Sequence, residues 1–252
     1  MLIPAREISR IWGIRPNSIL HVGAHHAEEY AEYAELHWGE ESGVIWIEAQ
    51  EDLLPIIESA ISGSKGQVVH AAVWDKDDVE LELKITNNSQ STSLLKFGTH
   101  KEDYPNIKVT NSIKMRTKRI DSILDADAKI EFLNLDIQGV ELQALKSLGE
   151  HLQDIRWIYT EVNKQSVYED CALISEIDSF LAEHNFTRVA TFWVSGRGWG
   201  DALYIGNYGQ LSSLYRWSTS FKFSHWKFKL DAIRIICDYW NTLLFRLRIK
   251  KR

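Results

Sequence analysis

Residues 132–148 read F-L-N-L-D-I-Q-G-V-E-L-Q-A-L-K-S-L. From Ile130 the apolar run forms a short buried strand that ends at Asp136, and residues 140–148 carry helical spacing closed by Gly149. A strand, a glycine turn and a helix in so few residues is half of a right-handed βαβ unit, and such units build a parallel sheet covered on both faces. The same rhythm recurs on either side. Residues 18–23 (S-I-L-H-V-G), 44–48 (V-I-W-I-E) and 67–74 (Q-V-V-H-A-A-V-W) read as strands, with helices expected over 27–37 and 53–61. Residues 155–161 (I-R-W-I-Y-T-E) supply another strand, and 171–184 places apolar residues at 173, 174, 177, 180 and 181, one face of a helix.

Two stretches depart from this rhythm. Residues 75–118 interrupt it with V-E-L-E-L-K-I at 79–85, the alternation of a half-exposed strand, a polar loop at 87–93 and a further strand expected within 107–118. This is an insertion with structure of its own. Near the end, strands at 186–194 and 201–205 flank the glycine-rich S-G-R-G-W-G of 195–200, so they pair as an antiparallel hairpin. The fold predicted is α/β and doubly wound: seven strands, mostly parallel, with an antiparallel last pair. One domain over 1–209 and an extension over 210–252 account for the length.

Charge separates those two parts. Residues 210–252 hold ten Lys or Arg against two Asp, a charge of +8, which leaves −14 on residues 1–209 of an overall −6. An acidic body argues against nucleic acid as a partner. The extension mixes Trp217, Trp226 and Trp240 with its cations, and positions 236, 240, 243, 244 and 247 fall on one helical face. That pattern suits a basic helix lying on a membrane surface, and equally one packed on the body or on a partner subunit. Cys171 and Cys237 make no disulfide framework, residues 1–15 lack a signal-peptide core, and no run reaches the roughly 20 apolar residues of a spanning helix. The expected location is the cytoplasm, with peripheral membrane contact through the extension.

The candidate chemistry lies at strand ends. Gly23 lets the chain turn sharply beside a ligand, and a helix following it would aim N–H groups there. Only one glycine is present, so the dinucleotide pattern G-x-G-x-x-G is absent. Glu48 ends the second strand 25 residues after Gly23, near the separation at which an acid accepts hydrogen bonds from a ribose diol. Asp136 and Glu161 each end a strand, and those strands should be neighbours, with ligands in the crevice outside their carboxyl ends. Such a pair positions a hydroxyl, acts as general base or holds a divalent metal; Asp136 alone also suits a helix cap. His25, with a near-neutral pKa, is a further base candidate.

Residues 132–148 closely resemble the L-K-x-D-x-x-G-x-E-x-x-x-L-x-G signature of FkbM-type methyltransferases. H-V-G-A-H at 21–25, I-E-A at 47–49, S-T-S-L-L at 91–95, T-K-R-I-D-S-I-L at 117–124 and W-G-D-A-L-Y at 199–204 match in family order. The resemblance implies a Rossmann-like class I methyltransferase fold, S-adenosylmethionine as cofactor, and O-methylation of a hydroxyl on a carbohydrate, glycoconjugate or related natural product. It implies a cofactor lined by His21, Gly23, Ala24, His25, Glu48, Ala49, Ala72, Val73 and Asp136. Ser91, Ser93, Glu161 and Trp199 would face a small-molecule or glycan acceptor, with catalysis by Asp136, Glu161 or His25. A divalent metal would sit on Asp136 and Glu161. Two positions depart from the family: His21 stands where an acid is common, and Ala27 where a glycine is common. The competing expectation is a pseudoenzyme, a cofactor-binding scaffold that recruits partners through its basic extension.

Overall fold

The computed structural model describes residues 1–230. Its strands are β1 (Ile19–Val22), β2 (Val44–Glu48), β3 (Gln67–His70), β4 (Ala72–Val73), β5 (Glu80–Thr86), β6 (Val109–Lys118), β7 (Phe132–Leu135), β8 (Trp157–Asn163), β9 (Phe186–Trp193) and β10 (Trp199–Gly206). The helices are α1 (Ala5–Trp12), α2 (Tyr30–Glu35), α3 (Leu54–Ala60), α4 (His100–Asp103), α5 (Ile120–Ile123), α6 (Glu141–Ser147) and α7 (Ile174–Glu183). The chain divides into two compact units at Gly209.

In the first unit seven strands form one sheet in the order β3-β2-β1-β7-β8-β10-β9. Five of them run parallel, and β10 lies antiparallel between β8 and β9. The centre is β1 and β7, every residue of which is buried, as strands covered on both faces must be. Leu20, Val22, Leu133 and Leu135 pack there with Leu145 of α6, Leu148 just past its end and Ile177 of α7. Each such side chain contributes roughly 1.5–3 kcal/mol by leaving water.

Three local features differ from the sequence reading. The third strand is split: after His70 the chain leaves the main sheet, and Ala72–Val73 pairs instead with β6 in a three-stranded sheet of order β4-β6-β5. The helix expected from residue 27 begins only at Tyr30, because His25 and Ala27 sit at φ +46° and +53°, left-handed values that no helix contains. Asp136 caps nothing. The α6 N-terminus has no side-chain cap, and the turn before it is held by Glu141, whose Oε1 accepts from the Gly139 (3.1 Å) and Ile137 (3.3 Å) N–H groups.

Gly23 fixes how the central strands end. Its φ is +87°, and a Cβ there would lie 1.9 Å from the Asp136 carbonyl oxygen, which is backbone and cannot swing aside. Gly23→Ala is therefore expected to lower unfolding stability by at least about 2–3 kcal/mol in urea denaturation, strain and overlap acting together. A loss below about 0.5 kcal/mol would show that the strand ends can separate freely.

Candidate active site

A cavity of about 520 Å³ opens at the carboxyl ends of β1, β2, β7 and β8. The second sheet and the excursion between β5 and β6 supply Ala72, Val73, Leu83 and residues 88–94 to its other side. His21, Gly23, His25, Glu48, Ala49, Ser91, Ser93, Asp136, Glu161 and Trp199 all line it, together with Ala72 and Val73. Ala24 does not. It is 1% exposed and turned inward, its N–H bonded to the Ile47 carbonyl at 3.1 Å.

One half of the cavity is organised by Glu48. Its Oε1 accepts from the N–H groups of Ala49 (2.9 Å) and Gln50 (2.8 Å), and Oε2 accepts from that of His25 (2.9 Å). Three amides lock the carboxylate, and Oε2 keeps a second lone pair for a ligand. His25 has both nitrogens engaged, Nδ1 with Glu28 at 2.6 Å and Nε2 with the Ser89 hydroxyl at 2.7 Å. The bond to Glu28 raises His25 above its ordinary value. Burial pushes Glu28 up, but hydrogen bonds from His25 and nearby backbone prevail and bring it to about 2. His25 is thus a tie between the turn after β1 and the loop at Ser89, poorly suited to the general-base role its sequence position offered. His21 is neutral, since burial lowers it to about 4; it stacks on Trp46 at 4.7 Å, with a Glu29 carboxylate oxygen 4.0 Å from Nε2.

The other half is built on the β7–β8 pair. Leu135 is in register with Thr160, which sets Asp136, just past the end of β7, beside Glu161; the strand expected to end at Glu161 runs on to Asn163, because β10 pairs with it there. Gln138 links them, donating from Nε2 to Asp136 Oδ1 (2.7 Å) and to Glu161 Oε2 (3.2 Å). Its own Oε1 accepts from the Tyr168 hydroxyl at 2.5 Å, and its carbonyl accepts from Ser93 Oγ at 2.7 Å. The Ser93 hydroxyl is therefore spent on shaping the site. Asp136 opens to the cavity but is ringed by protein, which pushes its carboxyl up against the stabilising Gln138 bond. Glu161, 5% exposed, is pushed well above the carboxylate range by burial and then by the charges of Asp136 and Glu141. Burial also takes Asp201 to about 6.

Gln138 already supplies a shared hydrogen-bond donor to Asp136 Oδ1 and Glu161 Oε2, so a metal on this pair would have to use the other oxygen of each carboxyl. Among the described residues the metal-capable side chains that converge are His25, His26 and Glu28, with ligand atoms within 4.8 Å, at an exposed rim where the His25 nitrogens are already engaged. Sequence reasoning missed Gln138, Tyr168, Glu29 and Asp201. Gln138 sits at an unspecified position of the 132–148 pattern, and Tyr168 lies in a loop without periodicity.

Glu141 generates a pH dependence. Burial pushes its carboxyl from 4.5 to about 7, against the hydrogen bonds that favour its charge, so the folded state holds the proton more tightly than the unfolded chain. The resulting stabilisation is complete below about pH 4.5 and is lost as pH rises through about 7. Glu141→Gln keeps the acceptor oxygen and cannot ionise. Its Tm should fall less than the parent's between about pH 5 and 8; parallel slopes would refute the assignment.

Comparison with known proteins follows the same outline. The family described as methyltransferase FkbM domain matches residues 21–187. The 2-O-methyltransferase NoeI of Sinorhizobium fredii (strain NBRC 101917 / NGR234) is 30% identical over 145 residues, 56% of each chain, so this chain spans little more than half of that relative's length. The crystal structure of a methyltransferase FkbM from Methylobacillus flagellatus KT superposes with a TM-score of 0.50 at 14% identity, over 75% of this chain and 43% of that one, a likeness of fold. With the sheet order, the strand-end acids and a family match across 21–187, the chain belongs to the FkbM methyltransferase domain family.

Proposed function

We propose that this chain uses S-adenosylmethionine to methylate a hydroxyl of a carbohydrate, glycoconjugate or related natural product. The observation that carries the reading is the Gln138-linked carboxyl pair Asp136–Glu161, facing the same cavity as the amide-locked Glu48. The 2-O-methyltransferase activity in the name of the Sinorhizobium relative agrees with a hydroxyl acceptor. In this reading Glu48 Oε2 accepts from the ribose hydroxyls, Ala49, Ala72 and Val73 border the adenine, and His21, Gly23 and Asp136 border the methionine end. When bound, the cofactor supplies an electrophilic methyl group. The protein's part is to hold the acceptor oxygen in line and to take its proton, since a neutral alcohol is a weak nucleophile. Asp136, steadied by the 2.7 Å bond from Gln138, is the carboxylate that accepts the proton; Glu161, held in its protonated form, donates a hydrogen bond that orients the acceptor.

Calorimetry with S-adenosylhomocysteine and transfer of labelled methyl from S-adenosylmethionine into extracted glycans test this. Asp136→Asn should cut kcat/KM by about 10²–10⁴ while binding of the product changes little, and the parent rate should survive EDTA. Loss of activity with the chelator would restore a metal to the pair. A protein that binds the product, transfers methyl to nothing, and keeps its biological activity as Asp136→Ala would be the scaffold.

We further propose that the extension brings the chain to anionic membrane surfaces. Residues 213–230 are helical, and Leu214, Trp217, Phe221 and Phe228, spaced to share one face, are 61–73% exposed. Arg216, Lys222, Lys227 and Lys229 accompany them, with no acid between 210 and 230. Among the described residues no helix is long and apolar enough to cross a membrane, so surface binding is the mode that fits. The stripe at 236, 240, 243, 244 and 247 lies outside the described residues. Vesicles with about one-third anionic lipid should pellet the full chain, neutral vesicles should not, and Trp217→Ser/Phe221→Ser/Phe228→Ser should reduce pelleting at least about tenfold. Equal pelleting of parent and variant would sink this proposal.

A further inference from the structure

The wall of the cavity beyond Gln138 carries an aromatic group for which the proton transfer has no use. Residues 97–104 are pinned against the loop after β8. Phe97 bridges to Tyr168, the N–H groups of Gly98 and His100 both donate to the Val167 carbonyl (2.9 and 3.0 Å), and a Cβ at Gly98 would lie 2.2 Å from the Ser166 oxygen. The His100 ring is fixed by this docking. It stacks on Phe97 at 4.3 Å and tilts against Tyr104 (5.0 Å) and Tyr168 (5.4 Å). It lines the cavity, is only 4% exposed, and no hydrogen bond engages its ring among the described residues; Nδ1 is wholly buried, which leaves Nε2 as the nitrogen a ligand can reach. A ligand hydroxyl bonded to Nε2 would satisfy a polar atom that the protein itself leaves unpaired. Burial lowers the His100 pKa, so the ring is neutral at neutral pH and offers one donor and one acceptor.

The rest of the wall narrows the ligand. Trp199 donates from Nε1 to the Tyr104 hydroxyl at 3.2 Å, and Arg197 lies over the Tyr104 ring at 4.6 Å while pairing with Asp103 at 2.9 Å, so the rings are held. The oxygen-rich Asp136, Glu161 and Gln138 line the same cavity. No Lys or Arg is among the described residues that line it. Aromatic rings beside carboxyl and amide groups suit a ring whose C–H face packs on aromatic carbon while its hydroxyls find polar partners. The Met1 ammonium that lines the cavity is paired with Glu29 at 2.9 Å, and the carboxyls beyond that pair disfavour an anionic ligand.

We propose that His100, Tyr104, Tyr168 and Trp199 form an acceptor subsite for a neutral pyranose ring, with His100 Nε2 hydrogen-bonding one of its hydroxyls. This rests on the methyl-transfer reading and narrows its acceptor, excluding uronic acids and sugar phosphates at this position.

Saturation-transfer NMR on the full chain, loaded with S-adenosylhomocysteine, tests it against methyl hexopyranosides, the matching methyl hexuronosides and an open-chain alditol. Ring protons of at least one neutral pyranoside should receive saturation, with none reaching the hexuronosides or the alditol. His100→Phe keeps the stacked ring without the nitrogen and should weaken that pyranoside about tenfold or more. His100→Gln, which restores a polar atom, should recover part of the loss. No transfer to any neutral pyranoside, equal transfer to a hexuronoside, or unchanged affinity in His100→Phe and His100→Gln would each overturn the subsite. Calorimetry with S-adenosylhomocysteine on the same samples separates the two readings. Intact product binding with no pyranoside signal removes the subsite alone, and absent product binding removes the methyl-transfer reading beneath it.

Discussion

The ends of three strands are tied together where one residue has no side chain. The Gly23 N–H donates to Ile47 of β2 at 2.9 Å, and the Asp136 N–H donates to Val22 of β1 at 3.0 Å. The space a Cβ would need at Gly23 is filled by the Asp136 carbonyl. Because of this lacing, Glu48 and Asp136, which serve different halves of the cavity, cannot shift independently. A backbone contact a few ångströms wide sets the distance between the residues proposed to hold the cofactor and those proposed to take the proton, and tolerances at such sites are about half an ångström.

Carboxyl groups in and beside the cavity outnumber its cations: no Lys or Arg is among the described residues that line it, and the Met1 ammonium is taken by Glu29. Glu161, Asp136, Glu141 and Asp201 are all pushed upward, burial being the first cause in each, and an apolar set of similar shape would be more stable. What keeps the arrangement ordered is the run of hydrogen bonds Tyr168–Gln138–Asp136/Glu161, with Ser93 holding the Gln138 backbone. Gln138 itself sits at φ +56°, and His25 and Ala27 are likewise left-handed without being glycine. Such strain collects at functional sites, and here it falls on the two turns that border the cavity.

Much of this was legible in the sequence because βαβ grammar is local. The strand ends at Gly23, Glu48 and Asp136 follow from apolar runs that stop at a polar residue or glycine, and neighbouring strands then place Asp136 beside Glu161, although β8 runs two residues past that acid along β10. What was not legible depends on contacts between distant segments. Ala72 and Val73 continue an apolar run, yet they pair with β6 because the insertion presents a strand there, an interaction no window around residue 72 contains. Gln138 became visible only when β8 brought Glu161 within reach of its amide, and His100 only when Gly98 docked on Ser166. The helix read from residue 27 failed for a different reason: Glu48 captures the His25 amide and holds the chain in a conformation a helix forbids.

The position of β10 has a consequence for the order in which the protein can be completed. It is the last strand among the described residues, yet it lies inside the sheet, with β8 on one side and β9 on the other. While a ribosome is still making residues 199–206, β9 has no place to attach and β8 presents a bare edge, with Trp199 and Asp201 missing from the cavity rim. Everything earlier can assemble as it emerges, but the sheet is completed only when β10 pairs with β8 and brings β9 with it. The nascent chain therefore carries an open, pairing-competent edge on β8 until residues 199–206 have emerged.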